Sequence, residues 1–190
     1  LFKKGDGEER EYQALERSVT LSCDLSQNDP SDLISPRLRD YLIVTHPDFS
    51  AAIAPLAAFR QQTDHGNYRV ETFEIPDLYN TFTFGNFSDY AVRRFLEYAY
   101  TEWDAQTRPK FALLVGDGNY NYKGYYYPAY GTLRAPIYVP PYMFTSQYMR
   151  TASDNWFACF IGDDNVPEMD LGRLCVTTAA ETTDRVNKII

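Results

Sequence analysis

The sequence predicts an α/β fold: a three-layer sandwich around a mainly parallel sheet of four or more strands. Three observations predict it. Short apolar, β-branched runs recur at Tyr41–Thr45, Phe111–Val115 and Met169–Leu174, and Tyr68–Ile75 alternates apolar with polar residues. Stretches with helical spacing separate these runs, the pattern of strand–helix–strand units that pair in parallel. Each run ends sharply, as at His46-Pro47-Asp48 and Gly116-Asp117-Gly118.

Taken in order, residues 1–40 are polar and irregular and read as a linker or the tail of an upstream module, with residues 41–190 forming the α/β unit. Tyr41–Thr45 is a buried strand. Phe49, Ile53, Leu56 and Phe59 then share one helical face, with Pro55 kinking that helix or marking its first turn. Tyr68–Ile75 is a strand with one wetter face, and residues 75–86 read as a loop. Ser88-Asp89 opens a second helix through Val92, Phe95, Leu96, Ala99 and Trp103. Phe111–Val115 is the third buried strand. Residues 119–150 are rich in Tyr, Pro and Gly and read as one long irregular loop. Asn155–Ile161 reads as an extra strand, antiparallel to its neighbour, before the acidic turn Gly162-Asp163-Asp164-Asn165. Met169–Leu174 is the last sheet strand, and residues 178–190 form the closing helix.

Composition narrows the function classes. The chain has 190 residues, 44% of them hydrophobic and 16% aromatic, which suits one domain with a sizeable core. Its net charge of -8 argues against nucleic acid and against an anionic membrane surface, both of which need clustered Lys and Arg. No apolar run approaches the roughly 20 residues of a membrane span. The first residue is Leu1 and no basic-then-apolar signal segment follows, which fits a piece of a longer polypeptide. Cys23, Cys159 and Cys175 form no disulfide framework. Cys159 and Cys175 fall within predicted strands, where a free Cys is usually a small buried apolar residue.

Candidate chemistry is sparse. A thiol–imidazole dyad needs both groups at exposed strand ends, and the pairing on offer is His46 with Cys175. Nothing local marks Cys175 as activated, and His46 before Pro47 reads more simply as a turn residue capping the next helix. Gly116-Asp117-Gly118 lacks the third glycine and immediate helix of a dinucleotide loop, and Asp117 would repel phosphate, so nucleotide binding is rejected. Asp117, Asp154, Asp163 and Asp164 are carboxylates in turns or at strand ends, a donor type suited to Ca²⁺, although the spacing is not that of an EF-hand. Ordinary solvated turn carboxylates would look the same. Glu168 and Arg173 read as a structural ion pair or as substrate contacts.

Several segments together resemble one known family. Leu113-Leu114-Val115-Gly116-Asp117, Ser153-Asp154, Ile161-Gly162-Asp163-Asp164 and Leu171-Gly172-Arg173-Leu174 stand in the order and spacing found in gingipain-type cysteine peptidases, and Tyr41–Phe49 is similar to the first strand of such domains. The resemblance covers residues 41–190. It implies a caspase-like, Rossmann-like α/β subdomain, the first of a tandem pair, from a secreted or cell-surface endopeptidase acting on proteins or peptides. It also implies that the catalytic His, in a Gly-His-Gly-type segment, and the catalytic Cys, in an Ala-Cys-type segment, belong to a second, C-terminal subdomain of the same polypeptide. Ala158-Cys159 falls inside the first subdomain, so no catalytic role passes to it, and Gly118 stands where relatives often carry His. No catalytic residue is therefore assigned here, and this chain alone is expected to be inactive. The alternative is a non-enzymatic extracellular interaction module that uses the Tyr-rich loop 119–150, since exposed Tyr clusters suit protein recognition.

Overall fold

A computed structural model of the chain describes residues 32–104, 106–119, 136–145, 147, 149–162 and 164–190, and the backbone of residues 2–3 and 9–10. Cys23, Asp163 and residues 120–135 of the Tyr-rich loop lie outside the described residues.

Four parallel strands form the central sheet: β1 (Tyr41–Thr45), β2 (Val70–Glu74), β3 (Phe111–Val115) and β6 (Asp170–Leu174), in the order β2-β1-β3-β6. The register pairs Tyr41 with both Val70 and Phe111, and Phe111 with Asp170. A strand buried on both faces favours a continuous apolar run over an alternating one, and β1 and β3 carry such runs at the sheet centre. Leu42, Val44 and Leu114 point to one face of the sheet, and Ile43, Leu113 and Val115 to the other.

Helix α1 (Pro47–Gln61) and helix α4 (Ala179–Ile189) cover one face through Phe49, Ile53, Leu56 and Val186. Helices α2 (Ile75–Thr83) and α3 (Tyr90–Tyr98) cover the other through Leu78, Val92, Phe95 and Leu96. This is the three-layer sandwich predicted. Local signals start the helices where they occur: Pro47 and Pro76 sit in first turns, where a missing N–H costs nothing. The Thr178 hydroxyl accepts the Glu181 amide as a helix cap. Pro55 lies inside α1 rather than at its start. Beyond α3 the chain continues as a π-helical turn, Ala99–Trp103, that buries Trp103.

The structure corrects several readings. Of residues 75–86, only 84–86 are a loop: Ile75–Thr83 is helix α2, with Ile75, Leu78 and Thr83 burying one face, a spacing hidden by Asn80, Thr81 and Thr83. Asn155–Ile161 is not a strand. Asn155–Phe157 is a 3-10 turn, with i+3 bonds from the Phe157 amide to Asp154 and from the Ala158 amide to Asn155. Phe157 and Ala158 are both buried, and neighbours in a strand would face opposite ways. At the end of 119–150 and running just past it an antiparallel hairpin forms, β4 (Met143–Thr145) and β5 (Arg150–Ala152).

Residues 32–40 pack onto the sandwich. Leu33 is buried, its carbonyl accepts the Trp103 indole N–H at 3.1 Å, and Arg37 lies over the Trp103 ring. Arg37 and Arg39 both pair with Glu71 of β2. A two-residue antiparallel ladder joins Phe2–Lys3 to Glu9–Arg10.

Candidate functional site

The strand order reverses between β1 and β3, and in open α/β sheets ligands bind outside the carboxyl ends of strands at such a switch point. Thr45-His46 leaves β1 there, and Gly116-Asp117-Gly118 leaves β3. The Gly116 amide donates to the Leu174 carbonyl and the Asp117 amide to the Val176 carbonyl, so pairing with β6 continues past the strand ends. The Asp117 carbonyl then accepts the amides of Tyr138 and Val139 and brings the returning chain over the edge. Gly116 has φ of 138°, and a Cβ there would lie 2.7 Å from the Tyr138 Cβ. At Gly118 a Cβ would fall 2.5 Å from Pro141 Cδ and 2.9 Å from the Val139 carbonyl oxygen. A side chain at position 118 would therefore require the returning chain at Val139 and Pro141 to shift.

Arg173 holds this edge together. Its Nε and Nη2 donate to the two carboxylate oxygens of Asp154 at 2.7 and 2.8 Å, and its Nη1 donates to the carbonyls of Gly116 and Val139, each at 2.9 Å. One guanidinium thus ties the end of β3, the returning chain and the segment after the hairpin to β6. The planar fork is what permits this, since Lys offers no bidentate geometry. The expectation of a Glu168–Arg173 pair is corrected: Glu168 accepts the Phe160 amide at 2.7 Å and fixes the chain after the 3-10 turn. Sequence reading missed the Asp154–Arg173 pair although both residues stood in the quoted motifs. Two opposite charges, each in a motif and 19 residues apart, were the available signal.

Beside this clamp lies a cleft of about 420 Å³, walled by Asp117, Asp154, Arg173 and Cys175 on the sheet side and by Arg150–Ala152 on the hairpin side. Cys175 is exposed and Cys159 half-buried, which corrects the expectation of two buried thiols. Both lie outside the sheet strands, Cys175 one residue past β6. Burial and the Glu168 carboxylate push the Cys159 thiol above its ordinary pKa, and the Asn155 amide donates to its sulfur at 3.2 Å. A thiol held neutral in this way is a poor nucleophile.

Neither histidine lines the cleft. His46 Nδ1 accepts the Asp48 amide at 3.3 Å, so it caps α1 as expected, and Tyr138 packs edge-on against its ring with centroids 5.1 Å apart. His65 is stacked on Phe59 at 3.8 Å. The dyad of His46 with Cys175 is thus not among the contacts of the described residues.

Of the four carboxylates considered for Ca²⁺, Asp117 and Asp154 share the cleft. Asp164 accepts the Val166 amide at 3.0 Å within the acidic turn, and Asp163 lies outside the described residues. Asp154 already engages both oxygens with Arg173. Among the described residues no three His, Cys, Asp or Glu side chains gather in a metal-binding group. Among the described residues, too, no helix is long and apolar enough to cross a membrane.

A family model for peptidase family C25 matches residues 35–190. No curated protein matches the chain. Among solved structures, dimeric latent PorU from Porphyromonas gingivalis superposes with a TM-score of 0.63 at 23% identity, covering 80% of this chain and 15% of that one. A second structure, described as a protease, gives a TM-score of 0.53 at 15% identity, covering 84% of this chain and 28% of that one. Both likenesses show the shared fold, and the chain spans only a small part of either relative. With the match covering most of the sequence, the chain belongs to peptidase family C25, the gingipain family.

Proposed function

We propose that this chain is the scaffolding subdomain of a gingipain-like cysteine endopeptidase, secreted or cell-surface, whose catalytic His and Cys are supplied by a second subdomain of the same polypeptide. One observation carries the reading. The family match coincides with a sheet whose carboxyl edge is built and clamped, yet the histidines there and beyond are engaged in capping and stacking. Thiol proteolysis needs an activated thiolate, an imidazole to move protons and donors for the developing oxyanion, all at one place. In this reading the chain contributes the wall of the cleft. Arg173 fixes the ends of β3 and β6, and Asp117 orders the chain that returns over them.

Calcium binding stands beside this as a separate proposal. Asp117, Asp154 and Asp164 offer hard oxygen donors on a chain of net charge -8, where a cation would relieve repulsion. With Asp154 engaged by Arg173, it would rest chiefly on Asp117 or on the Asp163-Asp164 turn.

The test extends the chain through the segment that follows Ile190 in its parent reading frame and assays fluorogenic peptides under reducing conditions. Thiol-dependent turnover that appears only in the extended protein is the expected result. A folded, extended protein without turnover would move the chain to the interaction-module reading.

A further inference from the structure

We infer that Phe84, on the connection between α2 and α3, anchors an interface with the second subdomain of the same polypeptide. The inference rests on the reading above that such a subdomain supplies the catalytic pair. The anchor itself is read from backbone geometry and exposure.

Phe84 caps the end of α2 with φ of 55° and ψ of 41°, in the left-handed region, and its N–H donates to the Tyr79 carbonyl. The Gly85 amide donates to the same oxygen at 2.9 Å, and the Asn86 amide donates to the Thr83 carbonyl at 3.0 Å. The turn is fully bonded, so the unusual feature is the residue that makes it. Left-handed residues at helix ends are usually Gly and sometimes Asn, because a Cβ is crowded there. A bulky side chain in this region is an outlier. The Phe84 ring is also 91% exposed, the highest value of any large apolar side chain among the described residues. Phe84 therefore combines a strained backbone with an apolar ring in water, and Asn in its place would bring neither. At that exposure, packing within the described fold offsets neither cost.

The surroundings indicate what the ring fits. Leu78 to Ser88 is a run of eleven residues without a charged side chain, in a chain of which 23% is charged. Tyr90 opens α3 at 49% exposure and packs edge-on against Trp156. The centres of protein interfaces are depleted in charge and enriched in Phe and Tyr, and a few large anchors carry most of their energy. The position of the connection points to the same partner. Ser88 and Asp89 line a gap with Pro141, Met143 and Arg150, and those three residues also line the cleft at the carboxyl edge. A subdomain that brings a thiol and an imidazole to that cleft has to rest on its rim, where this connection stands. This chain covers 15% and 28% of the two solved relatives, so proteins of this fold carry further chain that can fill the role.

Hydroxyl-radical footprinting of the 190-residue chain and of the extended protein described above tests this, with oxidation at Phe84 located by tandem mass spectrometry. Phe82, which packs on Phe95 and Tyr98, is the internal reference. Phe84 should be oxidised readily in the chain and roughly tenfold less in the extended protein, as for an anchor moved from 91% exposure into a desolvated pocket. Phe84→Asn gives a second arm. Asn accepts a left-handed backbone, so the unfolding midpoint of the variant chain should equal or exceed the parent's. In the extended protein the same substitution should lower the midpoint by roughly 4 °C. Equal oxidation of Phe84 in the two proteins would overturn the inference. A lower midpoint for the variant in the 190-residue chain would overturn it too, by showing that the chain itself covers the ring. Protection of Phe84 without turnover would leave the interface standing and end the peptidase reading, and turnover without protection would do the reverse.

Discussion

Replacing Arg173 by Ala should unfold the carboxyl edge of the sheet before anything else. The guanidinium makes four hydrogen bonds, two to Asp154 and one each to the Gly116 and Val139 carbonyls. Its side chain is 9% exposed and that of Asp154 is 29% exposed. Breaking a buried pair by removing one partner costs about 3–5 kcal/mol, because the other charge is left without its counterion. Asp154 keeps some contact with water, so the lower end, about 3 kcal/mol, applies. For a chain of this size that corresponds to a fall in unfolding midpoint of roughly 6–12 °C. Thermal unfolding followed by circular dichroism measures it. Arg173→Lys should recover less than half of the loss, since Lys keeps the charge but not the fork. A double-mutant cycle with Asp154→Ala should return a coupling above about 1 kcal/mol. A midpoint for Arg173→Ala within about 2 °C of the parent, or a coupling near zero, would refute the clamp.

Three further outcomes are expected. The Arg69 side chain, through its hydrogen bonds, holds the Asp40 carboxyl below its ordinary value of 3.8. A depressed folded pKa gives stability that is present above the unfolded value and lost as pH falls through the folded one, so Asp40→Asn should flatten the loss of midpoint below about pH 4; equal slopes for parent and variant would contradict this. Iodoacetamide labelling followed by peptide mass mapping should modify exposed Cys175 well before Cys159, whose thiol is half-buried and shifted upward; faster labelling of Cys159 would show that its site is open. The calcium proposal predicts a higher unfolding midpoint in millimolar CaCl₂ than in excess EGTA; an unchanged midpoint returns Asp117, Asp163 and Asp164 to the role of ordinary turn carboxylates and leaves Asp154 to Arg173 alone.

The layers of the fold were legible because their signals are local and repeated. Leu42-Ile43-Val44 and Ala112-Leu113-Leu114 can be buried on both faces only at the centre of a covered sheet, and both are. The misread elements are those where composition and period disagree. Trp156-Phe157-Ala158 has the residues of a strand, but Trp156 stacks on Tyr142 at 3.9 Å while Phe157 and Ala158, the next two residues, enter the core together. Only tertiary packing produces that arrangement. Helix α2 was hidden because Thr81, Thr83 and Asn80 favour turns, and packing on α3 overrode that preference. At the candidate site the His46 cap was readable from Pro47, the next residue in the chain. The Arg173 clamp was not, because its partners Gly116, Val139 and Asp154 are brought together only by the sheet register and the returning chain.

Peptide turnover by the isolated chain tests most directly whether the catalytic centre lies elsewhere in the polypeptide. The chain, folded and reduced, is incubated with a broad panel of fluorogenic peptides beside Cys23→Ala, Cys159→Ala and Cys175→Ala. A scaffold without its own thiolate–imidazole pair should give no turnover above a thiol-blocked control, because loss of a catalytic group removes many orders of magnitude in rate. Turnover that disappears in one of the three variants alone would show that the chain holds its own nucleophile and would contradict the account.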